Sequence, residues 1–282
     1  MDNLAVRTEG LTKIYRDFWR RKSTLALTNL NLSIERGEIF GLLGPNGSGK
    51  TTTVKLLLGL LFPTSGKSWL LGYPSSDLKI KSKIGFLPEE SYLYKFLNAE
   101  EILDFYGKLF GIPRKERRGR IDKLIYDVGL WPHRKRPLSQ YSKGMLRRIG
   151  LAQSMINNPE LILLDEPTSG LDPIGSYEIK NLILEFKKQG KTVVLSSHLL
   201  ADVQNICNRI AILSKGILQV TGSVQELLSQ KDVIQFLVRN LSLNDIQAVE
   251  NLIKNKNGSV LSIGHPSSTL EELFVKTIQN QS

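Results

Sequence analysis

The stretch Ile39-Phe40-Gly41-Leu42-Leu43 followed by Gly44-Pro45-Asn46-Gly47-Ser48-Gly49-Lys50-Thr51-Thr52 decides the fold. Ile39 to Leu43 reads as a short buried strand. The next eight residues, Gly44 to Thr51, follow the spacing of a phosphate-binding loop: glycine, four residues, then Gly-Lys-Thr. Glycines let successive backbone N–H groups converge on phosphate oxygens without Cβ clashes. An apolar helix over about residues 50–61 follows, and its N-terminus adds partial positive charge. Lys50 suits the β- and γ-phosphates of a nucleotide, the Thr51 hydroxyl suits Mg²⁺, and Thr52 offers a further hydrogen bond. Strand, loop and helix in this order open an α/β domain with a parallel sheet.

Outward from this centre, residues 25–40 alternate as a strand does, with Glu35-Arg36-Gly37-Glu38 as a turn. Residues 98–138 read as helical. Asn98 caps and Glu101 answers three residues later, as in a capping box. Ile102, Tyr106, Leu109 and Phe110 then fall on one predicted face. Strand signals return at 161–164, 192–196 and 210–213, so a helical block over about 90–158 interrupts the α/β domain. After Gly222 the pattern changes to strands at 233–238 and 259–263 and helices at 245–254 and 270–278. The expected division is a catalytic domain over 1–222 and a small α+β appendage over 223–282.

Leu161-Ile162-Leu163-Leu164 reads as a strand covered on both faces. Asp165 and Glu166 leave its C-terminal edge, where open α/β sheets bind ligands. Asp165 suits Mg²⁺, directly or through water, and Glu166 suits the orientation of an attacking water. Between the two elements stands Tyr141-Ser142-Lys143-Gly144-Met145. Ser142 is placed to cap a helix whose apolar face uses Met145, Ile149 and Ala152.

The three elements together resemble the ABC ATPase family, whose signature is usually Leu-Ser-Gly-Gly-Gln. Tyr141, Lys143 and Met145 replace the Leu, the first Gly and the Gln, while Ser142 and Gly144 are kept. The resemblance covers roughly residues 4–222. It implies a phosphate-loop ATPase core of ABC type, with ATP and Mg²⁺ held between two head-to-tail chains. Ser142 and Gly144 would then contact the nucleotide of the opposite chain. Further positions align with the family. Tyr15 resembles the aromatic residue that stacks on adenine, and Ser169-Gly170-Leu171-Asp172 the loop that touches the partner chain. His198 resembles the histidine at the γ-phosphate. Phe86-Leu87-Pro88-Glu89 resembles the loop joining the Mg²⁺ site to a transmembrane partner, with Glu89 in place of the usual Gln. Residues 16–22, which include Phe18 and Trp19, look like an insertion after Tyr15.

The implied role is the ATP-hydrolysing subunit of a transporter at the cytoplasmic face of the membrane. It would work as a homodimer or heterodimer under a separate transmembrane permease subunit. Members sharing the Glu89 and Tyr-Ser-Lys-Gly-Met features move drugs, antibiotics, lipids or polysaccharides outward, which leans the reading to an exporter. The alternative is a non-transport ABC ATPase of DNA repair or translation. Those members carry a long coiled coil inside the cassette or two cassettes in tandem, and neither pattern is present, so nucleic acid is not the expected partner. A regulatory module without turnover is disfavoured by the intact Glu166.

Composition agrees with these limits. The chain has 282 residues, 41% hydrophobic and 23% charged, as ordinary globular domains do. Lys and Arg exceed Asp and Glu, 38 − 27 = +11, which favours a polyanionic partner such as a nucleotide or an anionic membrane face. The excess gathers at residues 16–22, 114–120 and 134–136. The single cysteine, Cys207, excludes an intramolecular disulfide. The longest apolar run, 56–62, is far short of the roughly 20 residues that span a bilayer. The first residues lack the pattern of a signal peptide.

Overall fold

The computed structural model describes residues 3–16, 23–90, 92–229, 238, 240, 242–256 and 258–261. The chain divides into two compact units, residues 1–227 and 228–282.

The first unit is built on two sheets. Strand β1 (Leu4–Arg16) pairs antiparallel with β2 (Ser23–Glu35), and Gly37 turns the chain into β3 (Ile39–Leu43). Helix α1 (Lys50–Leu57) leads to β4 (Ser65–Leu70), β5 (Tyr73–Pro74) and β6 (Ile84–Leu87). A helical block follows, with α2 (Ala99–Leu109), α3 (Arg114–Asp127) and α4 (Lys143–Ser154). The chain then alternates through β7 (Leu161–Leu164), α5 (Pro173–Lys188), β8 (Thr192–Ser197), the short α6 (Leu200–Gln204), β9 (Arg209–Ser214) and β10 (Ile217–Ser223) to α7 (Val224–Leu228). The antiparallel sheet has the order β2-β1-β4-β5, and the larger sheet β10-β9-β3-β8-β7-β6. In the larger sheet all pairs are parallel except the β9–β10 edge.

The parallel register places the site. Leu43 pairs with Ser197, Leu164 with Leu195, and Leu87 with Leu164. The chains leaving β3, β6, β7 and β8 therefore emerge along one edge. All residues of β3, β7 and β8 are buried, as continuous apolar runs between two covered faces require. One core lies on the face that carries the helical block and α5, with Ile102, Ile125, Ile149, Ile162 and Ile183. A second lies on the other face, where α1 and the antiparallel sheet supply Val54, Leu57, Val6 and Leu30.

Several expectations shift. Helix α1 stops at Leu57, short of residue 61, because Gly59 takes φ +67° and closes the end with Gly59 N–H to Leu56 O and Leu60 N–H to Lys55 O. This is the Schellman arrangement, which glycine permits at least cost. The Asn98–Glu101 capping box is present at the start of α2. Its buried face, however, is Ala99, Ile102 and Leu103, while Leu109, the last residue of the helix, and Phe110, its C-cap, are exposed. Strands β1, β4, β5, β6 and β10 escaped the reading of the sequence.

The first unit runs past Gly222, since β10 continues to Ser223 opposite Arg209 and Val224 N–H donates to Asn208 O. In the second unit the expected helix at 245–254 is α8 (Leu243–Asn255), started by a Ser242–Asp245 capping box. The expected strand at 233–238 lies outside the described residues apart from Val238, and residues 259–261 of the other form no strand. The helix expected at 270–278 and residues 17–22 also lie outside the described residues. No helix among the described residues is long and apolar enough to cross a membrane.

Candidate functional site

The edge formed by the four strand ends carries a cluster of polar side chains in an otherwise apolar sheet. In the loop after β3, Gly44, Gly47 and Gly49 take φ of 152°, 77° and 106°. A Cβ on Gly49 would stand 2.7 Å from Ala26 O of β2, so both conformation and space require glycine there. Ser48 Oγ is buried and has no hydrogen-bond partner among the described residues, which a ligand oxygen would supply. Lys50, 5% exposed, donates to Gly44 O at 2.7 Å and lies 3.2 Å from Glu166 Oε1.

Asp165 and Glu166 follow β7 and are 3% and 5% exposed. Asp165 Oδ1 accepts from Thr51 Oγ1 at 3.3 Å and from Ser196 Oγ at 2.5 Å. Ser196 Oγ also accepts from Glu166 N–H at 2.9 Å. The other oxygen of Glu166, Oε2, lies 2.8 Å from His198 Nδ1. An ionised carboxylate only accepts, so the imidazole donates from Nδ1. Glu166 is thus bracketed by a lysine on one oxygen and a histidine on the other. Its backbone takes φ +49°, an uncommon conformation for a side chain of this size.

The structure brings Lys50, Thr51, Asp165, Glu166 and His198 together. Tyr15 is near the loop through β2: it pairs with Thr24, two residues before the Ala26 that packs on Gly49. The Tyr15 ring is half-exposed, with Lys13 Nζ 5.3 Å from its centroid. The Glu89 side chain is exposed, and among the described residues no hydrogen bond or ion pair joins it to Thr51 or Asp165. Ser142 and Gly144 stand apart. Ser142 caps α4, its Oγ accepting from Met145 N–H at 3.2 Å, and Ser142 and Lys143 face solvent. The Lys143 side chain lies across Gly170, its ammonium in the space a Cβ there would take. Asp172 caps α5 through Gly175 N–H at 2.7 Å.

Two polar residues were missed. Ser196, fully buried, joins both acids; its signal was a hydroxyl ending the apolar run Val193-Val194-Leu195. Arg147, 6% exposed, lies on the buried face of α4 with Leu151 four residues on. A cation at helical spacing from buried apolar residues is the sign that could have found it.

Residues 27–169 match the family model described as ABC transporter. An ABC transporter ATP-binding protein of Synechocystis is 41% identical over 98% of this chain and 85% of its own length. The linearmycin resistance ATP-binding protein of Bacillus subtilis is 34% identical over 88% of this chain and 79% of its own. Among solved structures, a dimeric ATP-binding cassette in a post-hydrolysis state with ADP and Pi is similar, with a TM-score of 0.70 and 30% identity over 78% of this chain and 98% of that one.

Proposed function

The chain belongs to the ATP-binding subunits of ABC transporters, and from that premise we propose that it hydrolyses ATP at the Lys50–Glu166–His198 cluster, as one of two head-to-tail chains beneath an export-type permease. The observation that carries the site is the bracketing of a buried Glu166 by Lys50 at 3.2 Å and His198 at 2.8 Å, on the edge where the phosphate loop opens. Lys50 and the loop residues Gly44 to Thr52 bind the phosphates, and the start of α1 adds its N–H groups and dipole. Glu166 orients and polarises the attacking water. His198 holds that carboxylate and reaches toward the γ-phosphate, and Tyr15 stacks on the base.

Thr51 Oγ1 and Asp165 Oδ1 are hard oxygens 3.3 Å apart beside the loop. Such a pair fits Mg²⁺, which keeps several waters and uses only one or two protein oxygens with the substrate's phosphates. Glu89, exposed on the neighbouring strand end, is a further candidate ligand. When bound, Mg²⁺ would neutralise charge developing on the phosphates.

The signature helix supports the dimer. Its first turn offers N–H groups and a favourable dipole to solvent, and among the described residues no hydrogen bond joins Ser142 to Lys50, Asp165, Glu166 or His198. A second chain's γ-phosphate is the proposed occupant. Export is supported by the likeness to a protein named for linearmycin resistance and by the Tyr141-Ser142-Lys143-Gly144-Met145 sequence. The place of action is the cytoplasmic face of the membrane. The sequence alone divides the chain after Gly222; we read the ATPase domain as running on to residue 227, with 228–282 as an appendage and the helical subdomain about 90–158.

Light scattering of Glu166→Gln with and without ATP is the test. The substitution keeps the binding groups and removes water activation, so an ATP-dependent dimer should accumulate. Adding Ser142→Arg should return it to monomers. A dimer that survives Ser142→Arg places the signature helix outside the interface.

A further inference from the structure

Beyond Leu87 and Leu164 the ladder between β6 and β7 gains one last bond, Asp165 N–H to Leu87 O at 2.8 Å, and stops. From there the side chain of Arg147 joins the two departing segments. Arg147 Nε donates to Pro167 O at 2.8 Å. One terminal nitrogen donates to Pro88 O and Glu89 O at 2.7 and 2.9 Å. The other donates to Asp165 O and Glu166 O at 2.7 and 2.5 Å. A guanidinium has five N–H groups in a rigid planar fork, and here five backbone carbonyls take five hydrogen bonds.

A buried cation is ordinarily held by a carboxylate. Arg147 is held by main-chain oxygens instead. Burial lowers its pKa to about 10, and the nearby Asp165, Glu89 and Glu166 oppose that shift, so it stays charged at neutral pH. Three of the five carbonyls flank or belong to Glu166, whose left-handed φ of +49° needs surrounding structure to persist. Arg147 also sits five residues after the capping Ser142, on the same helix.

We propose that Arg147 is the positioning residue that fixes the Glu166 carboxylate for hydrolysis, tying it at once to the Pro88–Glu89 segment and to the signature helix. The proposal rests on the reading of Glu166 as the group that activates water. A displacement of α4, such as contact with a second chain's nucleotide at Ser142, then reaches Glu166 through one rigid fork. No hydrogen bond joins Arg147 to the phosphate loop among the described residues, so nucleotide affinity is separable from turnover.

The experiment compares full-length wild type, R147K, R147M and E166Q at chain concentrations where wild type turns over. Phosphate release against ATP concentration gives kcat and KM, a fluorescence titration gives the Kd for MgATP, and a melting curve reports folding. Lysine keeps the charge but has three N–H groups on a point-like head, too few to span five carbonyls. R147K should lower kcat about tenfold or more with unchanged Kd and KM, as small misplacements of a catalytic group do, and R147M should lower it further. A wild-type kcat in R147K overturns the proposal, as does a kcat loss matched by lost affinity or a lost fold in that variant. If R147M fails to fold, R147K alone decides. Wild-type turnover in E166Q would instead remove the reading of Glu166.

Discussion

The phosphate loop and the start of α4 are both helix N-termini preceded by small polar residues, yet their surroundings are opposite. Lys50, Ser48, Asp165 and Glu166 are all buried at 5% exposure or less, and Lys50, Asp165 and Glu166 are held by hydrogen bonds and an ion pair among the ends of β3, β7 and β8. Ser142 and Lys143 stand in solvent, with one cap hydrogen bond to Met145 and a lysine laid over Gly170. The first N-terminus is preorganised by its own chain. The second presents the same backbone chemistry to solvent. In the proposed head-to-tail pair, a site divided this way would make turnover depend on a second copy, and loss of the γ-phosphate would then loosen that copy.

The contrast predicts unequal effects. Lys50→Ala strikes the buried half. It removes a cation from the phosphates and leaves Glu166 without its 3.2 Å partner. Nucleotide affinity should fall by about 2–5 kcal/mol, the scale for truncating one member of a buried charge pair, and phosphate release should vanish. Release near the wild-type rate would dissolve the contrast by moving the site elsewhere.

Tyr15→Ala acts at the rim of the same half. The ring is 40% exposed, and stacking on a purine face should contribute about 1–3 kcal/mol, on the scale for aromatic–base stacking. The loss should be similar for ATP, GTP and ADP, since every purine offers a face. Unchanged titrations for all three would assign the base to another residue.

Ser142→Ala is the mildest. It deletes the cap hydrogen bond of α4, at about 1 kcal/mol of stability, visible as a lower denaturant midpoint. Nucleotide binding by the monomer should not change, because Ser142 touches no group of its own chain's site. Weakened ATP binding in a monodisperse, unpaired sample would mean that the two halves are not separate.

Much of the site was legible because its signals are local. The spacing from Gly44 to Thr51 and the acids after 161–164 depend on residues adjacent in sequence, and the α2 capping box needs three consecutive positions beyond Asn98. The face assigned to α2 failed at Leu109 and Phe110, since periodicity says which residues share a side but not where the core ends. The antiparallel sheet was hidden for a related reason: β1 is interrupted by several register shifts, which break the alternation that marks a strand. Ser196 and Arg147 needed knowledge of what lies beside them, 30 and about 20 residues away in sequence.

By itself the sequence marked a phosphate loop, two acids at a strand end and a capped helix start, each from backbone conformation and side-chain chemistry over a few residues, and it was their resemblance to the ABC ATPase family that joined them into one ATPase chain. Only the tertiary structure decided that Glu166 lies between Lys50 and His198 and that Arg147 clamps its backbone. Those relations are set by the parallel register, Leu43 with Ser197 and Leu164 with Leu195, which aligns strand ends 197 − 43 = 154 and 195 − 164 = 31 residues apart in the sequence.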